Sequence, residues 1–598
     1  MKIFKLTMEG YRKHKKTEVY FSDATFLIGE NNSGKSSVLK ALELLLSVKA
    51  KAQDDDFYKN SVDEKQDKEI FITGWFNEIE DEVKKSKGIK NRIFFHEGYG
   101  DTFVYRKRYT LGDSKKAHIE AREHPVEIKA EYKDCKTIED MISLGADETW
   151  FENIGISLTK KLTETDRKKL LDIEELVDVD LGKEIWADNP GGFETIVQEK
   201  LPKFLLIPAM DKFGDNVSGN KNGALNELLN IFFDEIKEQS ETYQLIKENL
   251  KKLSGELDAT NENTEIYKLV NDLNNVASEV FSAANVNVKS NLSDANDVIK
   301  PTFNIDISTN VKTPVEYQGA GTIRSIVFAL LRYRAKRDIT MSGKQQSLII
   351  GFEEPEIYLH PNAISKMRDV IYALASQGNN QIICTTHSPY MINLDYEHKQ
   401  VVNHLSDSEN CGNGCQVACT SINLTESFER LHDDNKKYLK MLIRLEDSLA
   451  RCFFVKNVLV VEGDTEYVAI NETLKFVSEE TRSRILSDWF ILRAHGKPII
   501  ISIVKYLKAL GINPYVMHDK DTGINGAEKF NSYISKAVDD QTHLYVLEDC
   551  IEDVLGYKPG TEKPFRAYQY FSNITKPDDI SADWRSVFES IFKDVSWE

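Results

Sequence analysis

The stretch VLVVEGDTEYVAI, residues 458–470, ends an apolar, β-branched run at Glu462, follows it with a glycine, and places a second acid, Glu466, four residues after the first. Farther on, PYVMHDKD closes another apolar run with Asp519 and Asp521. Runs of this kind read as buried strands. In a parallel sheet, adjacent strand ends meet at one edge, the usual place for a site. Spacing of i and i+4 in a helix after Gly463 would put Glu462 and Glu466 on one face. Four carboxylates gathered there repel one another unless cations lie between them. Donors that are all oxygen suit Mg²⁺, Mn²⁺ or Ca²⁺. One or two such ions can activate water and stabilise a leaving oxygen in phosphodiester cleavage. VEG alone reads equally well as a surface turn; its pairing with HDKD, both at strand ends, favours the metal site.

A second constellation lies near the start. GENNSGKSS, from Gly29, fits G-x-x-x-x-G-K-[ST] between an apolar strand and a helix, the context that motif requires. Loop amides and a helix N-terminus cradle phosphates. Gly29, Asn32, Gly34, Lys35, Ser36 and Ser37 are therefore the nucleotide-binding candidates. Lys35 is placed for the β- and γ-phosphates and Ser36 for Mg²⁺. SLIIGFEEPEIYLHP ends a strand at Glu353 and Glu354. Glu353 is placed to coordinate Mg²⁺ and Glu354 to polarise the attacking water. In TTHSP, His387 follows a later strand, where it can sense the γ-phosphate. Gly319 and Gly321, in YQGAGTIRS, precede a helix and resemble the signature loop that ABC-type ATPases press onto the nucleotide of a second protomer.

The elements that must hold these groups alternate between strand and helix. KIFKLTMEGY and TEVYFSD read as a hairpin, ATFLIG as the strand before the phosphate loop, and residues 65–160 as a β-rich attachment. Residues 222–285 carry apolar positions at three-and-four spacing and read as amphipathic helices. Strand–helix alternation resumes at FNIDIST and again after a charged helix ending near Phe454. The predicted architecture is α/β: an ABC-type ATPase domain in two parts, 1–205 and 291–425, a helical dimerisation insertion at 206–290, and a second α/β unit at 426–598.

The order of motifs in the first part resembles the RecF/SMC branch of ABC ATPases. The strand–Glu–Gly and later D-x-D of the last part resemble a Toprim domain. Their succession in one chain is similar to the OLD (overcoming lysogenization defect) family of ATPase–Toprim nucleases, which includes Gabija-type and retron-associated antiphage effectors. The resemblance implies ATP and Mg²⁺ as cofactors, with Mn²⁺ or Ca²⁺ as alternatives at the Toprim site. It implies DNA as substrate, a homodimer or higher oligomer, and a defence-system partner protein or nucleic-acid element. Glu354, Glu462, Glu466, Asp519 and Asp521 become the catalytic candidates. Ser36, Glu353, Glu462, Glu466, Asp519, Asp521 and Glu552 become the metal-binding ones. The family also carries acids after the D-x-D; VLEDCIEDVLGY supplies Glu548, Asp549, Glu552 and Asp553, and Glu552 is favoured because it precedes DVL on a predicted helix. A lysine assists in related sites; Lys497, Lys558 and Lys563 are the candidates here.

Bulk properties fit. A chain of 598 residues with 41% hydrophobic and 29% charged residues is globular and multi-domain. A net charge of -19 excludes a chain that coats nucleic acid over its whole surface. No long apolar run or signal pattern is present, and seven cysteines do not make a disulfide scaffold, so a reducing cytoplasm with no membrane contact is expected. Cys411, Cys415 and Cys419 read as a hairpin rather than a zinc knuckle. YRKHKK (11–16) and YRKRY (105–109) read as solvated basic segments, with DNA contact as the sharper alternative. The competing function is a RecF-like repair ATPase whose Toprim domain binds DNA without cutting it. A topoisomerase would need a separate domain with a nucleophilic tyrosine, and a primase a polymerising module; neither is found.

Overall fold

The hairpin read at the start of the chain is the edge of a large antiparallel sheet. The structure is a computed structural model that describes residues 1–209, 240–256, 347–407 and 416–598, short gaps apart, and isolated stretches between 229 and 330. It divides into two compact units, one of residues 1–206, 344–356 and 360–598 and one of residues 207–343 and 357–359. In the second unit the described elements are the helix Glu241–Glu256, inside the predicted helical insertion, and an antiparallel pair, Asp306–Ser308 with Lys312–Pro314. Gly319, Gly321 and most of the predicted insertion lie outside the described residues, as do Cys411 and Cys415.

In the first unit the antiparallel sheet runs, among the described residues, in the order Ile185–Asp188, His118–Glu123, Gly100–Thr110, Glu69–Asn77, Lys2–Tyr11, His14–Tyr20, with Ile93–His96 also pairing Gly100–Thr110. A second sheet runs Lys203–Ile207, Leu348–Glu353, Asn380–Thr385, Ala24–Gly29, Gln400–Asp407, Val417–Asn423. Its inner strands are parallel and Val417–Asn423 is antiparallel to its neighbour. Leu348–Glu353 and Asn380–Thr385 are buried along their whole length, which is why they read as continuous rather than alternating apolar runs.

The helix Lys35–Leu46 belongs to one core with both sheets. Leu39, Leu42 and Leu45 share it with Ile3, Leu6, Ile72 and Phe103 of the antiparallel sheet and Leu27 and Ile349 of the parallel one. This packing corrects the reading of the 105–109 segment and, for Tyr11 and His14 alone, that of the hairpin tip. Strand alternation buries Tyr105, Lys107 and Tyr109 on the helix side, where Lys107 Nζ donates to the Ser47 carbonyl at 2.8 Å and Tyr109 Oη to the Leu44 carbonyl at 3.3 Å. Arg106 and Arg108, between them, pair with Glu120. In the hairpin, Tyr11 and His14 are buried, and Arg12 Nε lies 2.8 Å from Asp56 Oδ1. Residues 105–109 are therefore not a solvated basic segment, whereas in the hairpin Lys13, Lys15 and Lys16 stay solvated, with side chains 42%, 45% and 66% exposed.

The last part holds a parallel sheet in the order Trp489–Arg493, Asn457–Val461, Tyr515–Asp519, Leu544–Leu547. Helices Asp464–Thr473, Lys563–Ser572 and Ala582–Phe592 contribute to its core through Ile470, Phe571, Trp584 and Phe588. No helix among the described residues is long and apolar enough to cross a membrane.

Candidate carboxylate centre and nucleotide site

The strand Asn457–Val461 pairs in parallel with Tyr515–Asp519, with Val461 opposite Met517. Their ends therefore lie side by side, and the Asp519 amide donates to Glu462 Oε2 at 3.4 Å. The helical-face argument for Glu462 and Glu466 needs correction. Gly463 is the cap of the helix Asp464–Thr473, so Glu462 precedes it. Glu466 sits in the first turn and folds back, its Oε2 accepting from the Gly463 amide at 2.9 Å. It reaches Glu462 from the helix start, not along a helical stripe.

Asp519 is 6% exposed and accepts from the Ile551 amide at 3.0 Å, at the start of the helix Ile551–Leu555. Glu552, on that helix, is fully buried, and neither of its oxygens accepts a hydrogen bond among the described residues. Lys563 Nζ lies 3.3 Å from Glu552 Oε1. Glu548, Asp549 and Asp553 are exposed, as is Lys558. Lys497 Nζ is 2.6 Å from Asp521 Oδ2. The lysines that reach the acids are thus Lys497 and Lys563.

The electrostatics record the crowding. Burial pushes Glu462 up to about 7, with repulsion from Glu466 and Asp521 adding and Lys497 opposing. Burial, then Glu466 and Glu462, push Asp519 up to about 8. Burial also raises Glu466, and Glu552 adds to the rise. Burial is the leading cause in each case, and the two lysines nearby lower these acids without offsetting it. The donors are all carboxylate oxygen, which fits a hard divalent cation. As the side chains stand, no group of three or more Asp, Glu, His or Cys among the described residues is disposed around one ion, and the two ammonium groups stand among the acids instead.

At the other site, Gly29 ends the strand Ala24–Gly29 with φ 141°, and a Cβ there would lie 2.1 Å from the Leu405 carbonyl oxygen. Gly34, φ 95°, caps the helix Lys35–Leu46, and a Cβ there would strike the His14 ring at 2.6 Å. These positions require glycine both by backbone and by space. Lys35 Nζ donates to the carbonyls of Gly29 and Glu30 at 3.0 and 2.7 Å. Burial lowers its pKa, with Glu354 opposing. Asn32 and Ser36 are exposed, and Ser37 Oγ lies 3.4 Å from the Arg12 guanidinium.

Glu353 is buried at the end of its strand. Glu354 has φ 44°, a strained value for a residue with a side chain, and is held there by its amide, which lies 3.1 Å from both the Thr385 carbonyl and Thr385 Oγ1. His387 Nε2 lies 3.6 Å from Glu354 Oε1; burial and then Lys35 lower its pKa. The structure thus gathers Lys35, Glu354 and His387. It adds Glu356, which sequence reasoning passed over: its Oε1 accepts from Thr386 Oγ1 at 2.6 Å and from the His387 amide at 2.9 Å. Arg12 and His14 were likewise read only as hairpin tip. Their side chains meet the loop through pairing that a linear pattern does not carry.

Residues 1–392 match the family described as AAA ATPase domain. Residues 453–521 match the overcoming lysogenization defect protein-like TOPRIM domain. The Old nuclease of Escherichia phage P2 is 26% identical over 347 residues, covering 56% of this chain and 56% of that protein. Endonuclease GajA of Bacillus cereus (strain HuB5-5) is 25% identical over 185 residues, covering 29% and 26%. The chain spans about half the length of the first curated relatives it matches. Among solved structures, an SMC head bound to the C-winged helix domain of ScpA aligns with 72% of this chain and 100% of its own, at 13% identity and a TM-score of 0.36. With the ATPase model matched over more than half of the chain, the chain belongs to the AAA ATPase-domain family, and a segment similar to the OLD-like TOPRIM domain follows it.

Proposed function

We propose that this protein is an ATP-binding and ATP-hydrolysing, divalent-metal-dependent DNA endonuclease that acts in antiphage defence. The observation that carries the reading is the edge where Glu462, Glu466, Asp519, Asp521 and Glu552 converge, in a chain that also carries a complete phosphate loop. The relatives' names, Old nuclease and Endonuclease GajA, support the reaction class, and the resemblance to antiphage effectors noted above supports the defence role. The domain limits given above, a homodimer, a defence-system partner and a cytoplasmic location belong to the same proposal.

In the nucleotide site, the loop amides and Lys35 bind the phosphates, while Ser36 and Glu353 hold Mg²⁺. Glu354 orients water, and His387 monitors the γ-phosphate. In the carboxylate centre, Glu462, Glu466, Asp519, Asp521 and Glu552 hold Mg²⁺ or Mn²⁺, which supplies charge stabilisation and a deprotonated water for phosphodiester hydrolysis. The Ile551 amide holds Asp519 in place, and Lys563 balances Glu552.

The test is cleavage of supercoiled plasmid with Mg²⁺ or Mn²⁺, with and without ATP. Wild type is expected to cut, and Glu462→Ala to lose at least about 100-fold in rate, as loss of a group acting on the transition state does. Lys35→Ala is expected to lose nucleotide binding in isothermal titration. A wild type that cuts under no metal and nucleotide condition sinks the reading; normal cutting by Glu462→Ala sinks the site assignment.

A further inference from the structure

The two lysines among the acids are placed differently. Lys563 has a side chain 49% exposed, whereas that of Lys497 is 3% exposed. Lys497 opens the helix Lys497–Ala509 after His495 and Gly496, both with positive φ, 57° and 125°. The Gly496 amide donates to the Glu462 carbonyl at 3.0 Å, so this loop is tied to the end of the Glu462 strand. From there Lys497 Nζ comes within 2.6 Å of Asp521 Oδ2 and donates to Asn531 Oδ1 at 3.1 Å. Asn531 Nδ2 in turn donates to the Lys520 carbonyl at 2.8 Å. Asp521 has φ 56°, which a residue with a side chain keeps only when its surroundings hold it.

We propose that Lys497 is a positioning residue of the carboxylate centre: it fixes the Lys520–Asp521 turn beside Glu462, so that a divalent cation meets Asp521 already in place. The proposal rests on reading the centre as a divalent-cation site. Its sign is definite. A ligand ordered beforehand does not have to be ordered at the moment of binding, so removing Lys497 weakens cation binding. A lysine that merely filled a cation's position would, on removal, tighten it.

The experiment is Mn²⁺ titration calorimetry on the full chain without nucleotide. It compares wild type, Glu462→Ala, Lys497→Met, Asp521→Asn, the Lys497→Met/Asp521→Asn double variant, and Asn531→Ala. Lys497→Met is expected to weaken Mn²⁺ binding about tenfold, and to change it less than about twofold once Asp521 is already Asn, because the lysine acts through that carboxylate. A merely structural lysine would weaken binding equally in both backgrounds. Asn531→Ala leaves no buried charge unpaired and is expected to weaken binding in the same direction, which keeps the test open if Lys497→Met does not fold. Unchanged or tighter binding in Lys497→Met, a full loss persisting in the Asp521→Asn background, or unchanged binding in Asn531→Ala overturns the proposal. If wild type and Glu462→Ala bind Mn²⁺ alike, the cation-site reading itself fails, an outcome visible without any Lys497 variant.

Discussion

Glu356 accepts from both the Thr386 hydroxyl and the His387 amide, so it sets where His387 stands relative to Glu354. Glu356→Ala leaves the phosphate loop intact but frees that turn. ATP hydrolysis is expected to fall about tenfold in kcat while nucleotide affinity stays within about twofold, because misplacing a group near the reaction costs rate more than binding. Steady-state ATPase kinetics beside nucleotide titration check this; equal losses in both would place Glu356 in the loop's folding instead. The acids of the other centre make a pH prediction. Glu462 and Asp519, raised by burial to about 7 and about 8, keep protons in the folded chain that the unfolded chain has already released. Stability of the metal-free protein therefore falls as pH rises from the ordinary carboxylate range to about 8. Mn²⁺ is expected to raise the melting temperature more at about pH 8 than at about pH 6, and a chelator to reverse it. A rise no larger at the higher pH, in scanning calorimetry, would count against cation binding by these two acids. At this scale, strand-end acids were legible because an apolar run ending in a carboxylate is unusual in one dimension. Glu356 and Asn531 were not, since each matters only through a partner brought near by folding, and the sequence left Lys497 as one of three lysine candidates because only folding brings it to Asp521.

Among the elements, the helix Lys35–Leu46 is gripped at both ends. Its start faces the His14 ring at Gly34, and its end gives the Ser47 carbonyl to Lys107 and the Leu44 carbonyl to Tyr109. Lys107 is 1% exposed, and burial lowers its pKa to about 7. A cation there complements the helix C-terminus. The unfolded chain, with an ordinary lysine, holds more protons between about 7 and the usual lysine range, so stability rises with pH through that window. Lys107→Met removes this dependence. Denaturant unfolding between about pH 7 and about pH 10 is expected to show a steeper gain in stability for wild type than for Lys107→Met. Parallel slopes would mean that Lys107 stays charged across the range. The strand order here was partly legible. Period-2 alternation marks Gly100–Thr110 as a strand, and the phosphate-loop motif marks the helix after Gly34. Which face of the strand turns inward depends on that helix, so a run rich in Arg and Lys looked like surface until its alternate residues were seen to pack beneath the helix.

For the whole molecule, the question is whether one chain is enough to hydrolyse ATP. Lys35, Glu354 and His387 come from the first unit. The signature-like Gly319 and Gly321 lie outside the described residues. In the proposed homodimer, each nucleotide rests on the phosphate loop of one protomer and on the Gly319–Gly321 loop of the other. Lys35→Ala then disables one half of both sites, and Gly321→Asp the other half of both. Each variant alone is expected to lack ATPase activity. When the two are mixed and allowed to exchange, half of the dimers are mixed, and each mixed dimer has one site with both halves intact. Activity should return to about a quarter of the wild-type level, the fraction set by two-fold symmetry and random pairing. Light scattering on the same mixture establishes that dimers are present. No recovery in a sample shown to contain exchanged dimers would mean that both halves of each site come from one protomer, and the signature reading of Gly319 and Gly321 would fall with it.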